Sequence, residues 1–403
     1  QFIQDSEGYT LSEISLSLPA KRSSLLALGF RPFFLAAATL ALLAMVIWLL
    51  RVWGLLPGDT YLGGTAWHAH EMLFGYVGAV IAGFLLTAAR NWTGIATPTG
   101  GRLGVLVLIW LAGRIGPMLP LPPGSIAILD LAFFPALALA LIPSLWQGKN
   151  KINRVFLVIL VAMTLANGLV HLQALGLSAD SASRGSRLML DLTLTVLLIV
   201  AGRIMPFFTQ SALQGSKPIN RPWVEGATFA AVITLTLVNL LTPAPSFAVI
   251  PLLALAALQA IRLAGWYDGR AWRNPMLAVL YAGYLWMIAG LTLDGLSVIG
   301  LLPHFPALHA LTTGAIGVFT LGMVTRVTLG HTGRNMQASN ATLVAFLVIN
   351  IAALTRVVPA LLWPNQYPLW LALSGGLWIL AYGIFLWVYG PMLISPRVDG
   401  RPG

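Results

Sequence analysis

Runs of about twenty mainly apolar residues recur along nearly the whole chain with short polar breaks between them, and this restricts the fold more than any other feature. A bilayer core about 30 Å thick is crossed by a helix of that length, and in hydrocarbon the backbone must satisfy its own hydrogen bonds, which leaves helices and closed barrels. Period-2 alternation is absent, which argues against a barrel. The expectation is an all-α, polytopic membrane protein. About twelve spans are placed near 30–50, 68–89, 103–119, 124–147, 154–176, 187–209, 224–242, 246–265, 275–300, 305–325, 340–362 and 367–394. With 58 % of residues hydrophobic and 9 % charged, a soluble globular class is disfavoured. No long linker divides the chain, so residues 28–396 read as one transmembrane domain between polar tails, 1–27 and 397–403. The first tail carries Asp5, Glu7 and Glu13 and lacks the apolar core and cleavage site of a signal peptide, so it reads as cytoplasmic.

A net charge of +11 raises nucleic acid as a partner, but the basic residues stand singly between apolar runs and form no soluble basic module. They read as topology signals in a lipid bilayer. With the N-terminus inside, eighteen of the 23 Lys and Arg face the cytoplasm, and only Arg51, Arg114, Arg184, Arg187 and Arg356 face outward. Both termini are therefore expected to be cytoplasmic. The absence of cysteine excludes disulfides, covalent haem attachment, iron–sulfur ligation and thiolate copper sites. A metal must use His, Asp, Glu or Met.

The polar residues inside the spans are not evenly spread. In WHAHEMLFGYVGAV, His68, His70 and Glu71 open span 2 at its outer end. His171 lies 17 residues past Arg154, Asp294 lies 21 past Arg273, and Asp130 and Asp191 fall in the first turns of spans 4 and 6. His304 and His309 stand at the outer mouth of span 10. Any one of these suits headgroup water. Five histidines and four acids in one layer instead suggest a site where they pair, bind metal or meet water, because an ionised group in lipid is costly. His68, His70, His171, His304 and His309 are thus candidate ligands of a metal or haem, since neutral imidazole suits iron, copper and zinc. Glu71, Asp191 and Asp294 are candidates to supply protons or orient an imidazole.

Helical spacing divides these roles. His68 and His70 point about 200° apart and are expected to serve different ends, whereas Glu71 shares the face of His68. Pro306 suits the first helical position, which leaves His304 in the preceding loop and makes His309 the better ligand candidate. His171, with Asn167 one turn earlier, also fits a hydrogen-bonded core histidine.

Arg90, Arg203 and Arg326 close spans at the cytoplasmic end, either as snorkelling anchors or as partners for haem propionates, an anionic substrate or lipid. In RVTLGHTGR, His331 and Arg334 are expected in a short loop, where they could bind a metal or anion or cap the preceding helix. Segments 68–90 and 304–326 overlay without a gap, His at one end and Arg 22 residues on, with Gly78 on Gly314. Span 6 lies four spans from each, so a four-helix pseudo-repeat is conceivable, in a layout like that of haem-copper oxidases and nitric oxide reductases.

GFRPFFLAAA at 29–38, WHAHEMLFGYVGAVIAGFLLTAARNWTG at 67–94, GRIMPFFTQ at 202–210 and HALTTGAIGVFTLGMVTRVTLGHTGR at 309–334 resemble the NnrS family. That family comprises polytopic bacterial inner-membrane proteins described as containing haem and copper and linked to nitric oxide metabolism, nitrosative stress and denitrification. The resemblance implies b-type haem, with copper or a non-haem iron beside it, and nitric oxide as ligand. Its matching positions are His68, His70, Glu71, Arg203, His309, Arg326, His331 and Arg334. Reduction of nitric oxide to nitrous oxide with a quinol as donor is one implied activity. A non-enzymatic haem protein that binds or senses nitric oxide or an iron nitrosyl is the alternative. A secondary transporter fits the span count, but the polar layer lies off the midplane.

Overall fold

The computed structural model describes residues 24–57, 61–241 and 245–401; the N-terminal tail up to residue 23 and the last two residues lie outside the described residues. Twelve helices are long and apolar enough to cross a membrane, as a multi-pass membrane protein requires, and no strand occurs among the described residues. They are α1 (Phe30–Val52), α2 (Gly64–Thr93), α3 (Gly100–Met118), α4 (Pro123–Gln147), α5 (Lys151–Ala174), α6 (Ser181–Ala212), α7 (Pro222–Leu241), α8 (Ser246–Trp266), α9 (Pro275–Val298), α10 (His304–His331), α11 (Asn340–Leu362) and α12 (Pro364–Ile394).

The ends of these helices are set by local chemistry. Pro275 starts α9 behind Asn274, whose side chain accepts from the Met276 amide at 3.1 Å. Ser339 caps α11 by accepting from the Thr342 amide at 3.2 Å. Gly94, in the left-handed conformation at φ 72°, ends α2. Within the spans, hydroxyls find partners on the preceding turn, as where Thr87 donates to the Gly83 carbonyl at 2.8 Å, so that a polar side chain adds no unmet group in hydrocarbon.

Burial separates three helices from the rest. The most apolar stretches of α2, α6 and α10 are 83, 78 and 72 % buried, whereas those of the other nine helices range from 22 to 56 %. Every fourth helix is therefore an inner one. Outer helices join successive arcs, with α4 against α5, α8 against α9 and α12 against α1. Around the centre, the Tyr76 hydroxyl of α2 pairs with Thr320 of α10 at 2.5 Å and with Tyr382 of α12. The four-helix period is thus visible as three arcs of four.

Two of the three inner helices share a local distortion. A π-helical stretch, Glu71–Val77, interrupts α2, and another, Ala310–Val318, interrupts α10. Each starts one residue after a histidine, His70 and His309, and from there glycines fall at equal distances: Gly75 and Gly314, Gly78 and Gly317, Gly83 and Gly322. This register replaces the overlay of His68 on His304, which differs from it by three residues and matched one glycine. The reason is packing: a Cβ on Gly75 would meet Leu40 Cδ2 at 2.6 Å, and one on Gly314 would meet Trp286 Cδ2 at 2.6 Å. Small residues there let neighbouring helices approach closely.

Candidate functional site

A cavity of about 640 Å³ opens at the histidine-bearing end, between α1, α2, α6, α10, α11 and α12. Its walls are largely apolar and aromatic, with Met45, Trp48, Met72, Tyr76, Leu371 and Trp378 among them. That volume and character suit a small-molecule or cofactor site. Three histidines line it: His68, His304 and His309. The His68 ring stacks on Trp48, centroids 4.7 Å apart and planes 19° apart, and its Nδ1 is buried without a hydrogen-bond partner. The Nδ1 of His309 contacts the Phe305 carbonyl at 2.8 Å, which can only accept, so Nδ1 carries the proton and Nε2 keeps its lone pair. Arg356 Nη2 lies 3.2 Å from that lone pair.

At the cavity wall Arg187 joins two carboxylates, Asp294 at 2.8 Å and Asp191 at 3.2 Å, and Asn239 donates to Asp191 at 2.7 Å. Exposed His304 stands 3.7 Å from Asp294. It begins α10 instead of lying in the preceding loop, because Pro303 caps the helix and Pro306 falls inside its first turn. The Asp191, Asp294 and Arg187 charges sum to one negative charge at the cavity edge.

His70 points the other way, into a second, buried cluster. Its Nε2 meets Asn167 Oδ1 and Asp130 Oδ2, each at 3.0 Å, and His171 Nε2 meets the same Asp130 oxygen at 2.8 Å. Tyr61 lies 3.1 Å from His171 Nδ1, and the Asn167 amide donates to Asp130 at 2.9 Å. One ligand atom each from His70, Asp130 and His171 falls within 4.8 Å of the others, a spacing that could hold a metal ion. Arg114, however, contacts Glu71 at 3.0 Å and pairs with Asp130, so one cation already offsets part of this negative charge.

His68 and His70 therefore do part company as their spacing predicts. Glu71 does not share the surroundings of His68. It is buried with His70, 3.4 Å from Nδ1, where Arg114 from α3 meets its carboxylate at 3.0 Å. The five histidines of the expected layer thus split into a cavity group, His68, His304 and His309, and a buried group, His70 and His171.

A family model described as NnrS protein matches residues 24–397, nearly the entire chain. The chain belongs to the NnrS family. Membership links it to nitric oxide-related function. No curated protein matches it.

The arginines and sixth histidine of the NnrS motifs sit at the opposite end of the molecule. Arg326 is 17 residues beyond His309, roughly 26 Å along the helix, and Arg203 is 16 beyond Arg187. The Arg326 guanidinium lies over Phe208, 3.9 Å from the ring centroid, and donates to the Met276 carbonyl. Arg203 lies over Trp92 and donates to Asn153 at 2.8 Å. None of Arg203, Arg326 and Arg334 lines the cavity; Arg203 is held by an aromatic ring and the Asn153 side-chain oxygen, and Arg326 by an aromatic ring and a backbone carbonyl. His331 is the last residue of α10, not part of a loop, and tilts against Phe30 with centroids 5.5 Å apart. The helix end is capped by Arg397, whose Nη1 donates to the His331 carbonyl at 2.9 Å. A small cavity of about 150 Å³ among α2, α6 and α10 lies beside His331 and Arg203.

Sequence reasoning missed Arg114, Arg187 and Arg356, which it counted only as outward charges. The signal that could have found them was present: in the outer part of a span an arginine, like an acid, needs a partner.

Proposed function

We propose that this NnrS-family chain is a haem protein of the bacterial cytoplasmic membrane, with both termini inside, that binds nitric oxide in the 640 Å³ cavity and reduces it to nitrous oxide. The observation that carries the reading is the cavity itself, where one buried imidazole nitrogen of His68 lacks a partner and His309 Nε2 keeps a lone pair that meets only Arg356 Nη2 at 3.2 Å. The residues fit a haem: apolar walls for the macrocycle, His68 and His309 as candidate ligands, and Arg356 as a cation. Without cysteine the haem would be held non-covalently, and b-type haem is the proposed one. When bound, it would supply a redox-active iron. Copper or a non-haem iron beside it would draw on the remaining imidazoles, His304 in the cavity or His70 and His171 behind it.

Two molecules of nitric oxide, two electrons and two protons give nitrous oxide and water. A quinol is the proposed electron donor. The protein's own part concerns the protons: His304 is exposed, Asp294 next to it is fully buried, and Asp294 and Asp191 share the single guanidinium of Arg187. His304 and Arg187 line the cavity and both contact Asp294, which supports Asp191 and Asp294 as the proposed proton donors. Glu71 is turned away from the cavity and is assigned to positioning His70 through its contact there.

A second reading, binding or sensing nitric oxide without turnover, draws on the fact that every one of these carboxylates is already in an ion pair. Purified full-length protein with a quinol mimic separates the two. Nitrous oxide formed over many turnovers supports the reductase, whereas stoichiometric nitrosyl formation without product supports the binder.

A further inference from the structure

Arg356 is used by neither the proposed proton path nor the proposed haem ligation. It is 7 % exposed and lines the cavity, and its Nη1 has no hydrogen-bond partner. Nη2 donates to the Tyr367 hydroxyl at 2.7 Å and lies 3.2 Å from His309 Nε2. Among the described residues no carboxylate stands within ion-pair distance of it.

The internal repeat shows what is missing. Arg114 on α3 reaches α2 beside its π stretch and reaches Asp130 on α4. Arg356 on α11 reaches α10 beside its π stretch and reaches Tyr367 on α12. In the α2–α4 arc Glu71 follows His70, and Arg114 is balanced by Glu71 and Asp130. In the α10–α12 arc Ala310 follows His309, and the partner of Arg356 on α12 is a neutral phenol, Tyr367. A guanidinium stays charged, and taking it out of water with no counter-charge carries a desolvation penalty that an anion would offset. Both carboxylates are absent on the one side that opens on the cavity.

We infer that Arg356 is the receptor for an anionic oxygen borne by the occupant of the cavity, and that engaging it releases His309 Nε2 for a metal. The unpaired Nη1 takes the oxygen in a charge-assisted hydrogen bond. Nη2 then leaves the imidazole lone pair, which is the one a metal needs. Two sources share this chemistry: a propionate of the haem, on which this arm depends through the proposed function, and a free small oxyanion such as nitrite.

The test uses the full chain in nanodiscs, titrated with haem b, with its dimethyl ester and with nitrite, in wild type, Arg356→Gln and Arg356→Lys. If a propionate is the anion, wild type binds haem b about tenfold more tightly than the ester, Arg356→Gln abolishes the difference and Arg356→Lys keeps part of it. The ester complex then gives the EPR spectrum of the haem b complex of His309→Ala. If a small oxyanion is the ligand, haem b and ester bind alike, and wild type binds one nitrite that Arg356→Gln does not. A chain that takes up no haem yet binds nitrite through Arg356 sinks the proposed function and leaves this inference standing. Wild type that treats haem b and ester alike and binds no nitrite overturns the inference, as does Arg356→Gln that keeps either preference.

Discussion

Arg114 on α3 and Arg356 on α11 each reach the helix of their arc that carries a π stretch, and only Arg114 meets carboxylates. Replacing Arg114 with Met strands Glu71 and Asp130 in a buried cluster, and breaking such a pair costs about 3–5 kcal/mol. Thermal unfolding in detergent is expected to show that loss for Arg114→Met and a smaller one for Arg356→Gln, which leaves no carboxylate behind. At the other end, Arg397 caps α10 while pairing with Asp399 at 2.6 Å, and its guanidinium holds the Asp399 carboxyl down to about 2. A depressed carboxyl gives its contribution above the unfolded value, near 3.9, and loses it as pH falls through about 2. Amide protection factors of residues 396–401, which take out the intrinsic pH dependence of exchange, should therefore be level from neutral pH down to about 4 and fall only below it; a fall already near pH 6 would count against this pairing. The residue types of the site were legible because charged and imidazole groups are conspicuous in apolar runs. Their partnerships were not: Arg114 lies 43 residues from Glu71 and 16 from Asp130, and no periodicity within one helix specifies contacts between three.

Within single helices, the spans themselves could be read from hydropathy because the bilayer sets their length. What hydropathy could not reveal was the π stretch in α2 and α10. A constant 100° per residue puts Glu71 near the face of His68, and its carboxylate turns instead to Arg114 of α3 and to His70. The same stretch hid the repeat register, since His68 and His304 are the more obvious pair and His70 and His309 the equivalent one. The glycines that mark this register are testable. Gly314→Ala drives a methyl into the Trp286 ring, and overpacking of this kind costs about 1–3 kcal/mol. Gly168→Ala on α5, where nothing lies within 4 Å, should be neutral or stabilise by up to about 1 kcal/mol. Unfolding midpoints that move alike in both variants would contradict the close-approach reading.

At the scale of the whole molecule, three arcs of four helices put α2, α6 and α10 inside and leave space at both ends of the trio. The larger space collects His68 and His309 from helices some 240 positions apart in the chain, and the smaller collects Arg203 and His331. This arrangement explains why a layer of histidines could be inferred from depth alone while its division in two could not: depth follows from residue count, and the azimuth of each helix follows from packing. The central claim is that the larger cavity holds haem through His68 and His309. Optical and EPR spectra with iron analysis on purified wild type, His68→Ala, His309→Ala and His331→Ala test it most directly. The account predicts full haem content in wild type and His331→Ala, and lost haem or an altered ligand signature in each of the other two. Haem retained with an unchanged spectrum in both His68→Ala and His309→Ala would contradict it.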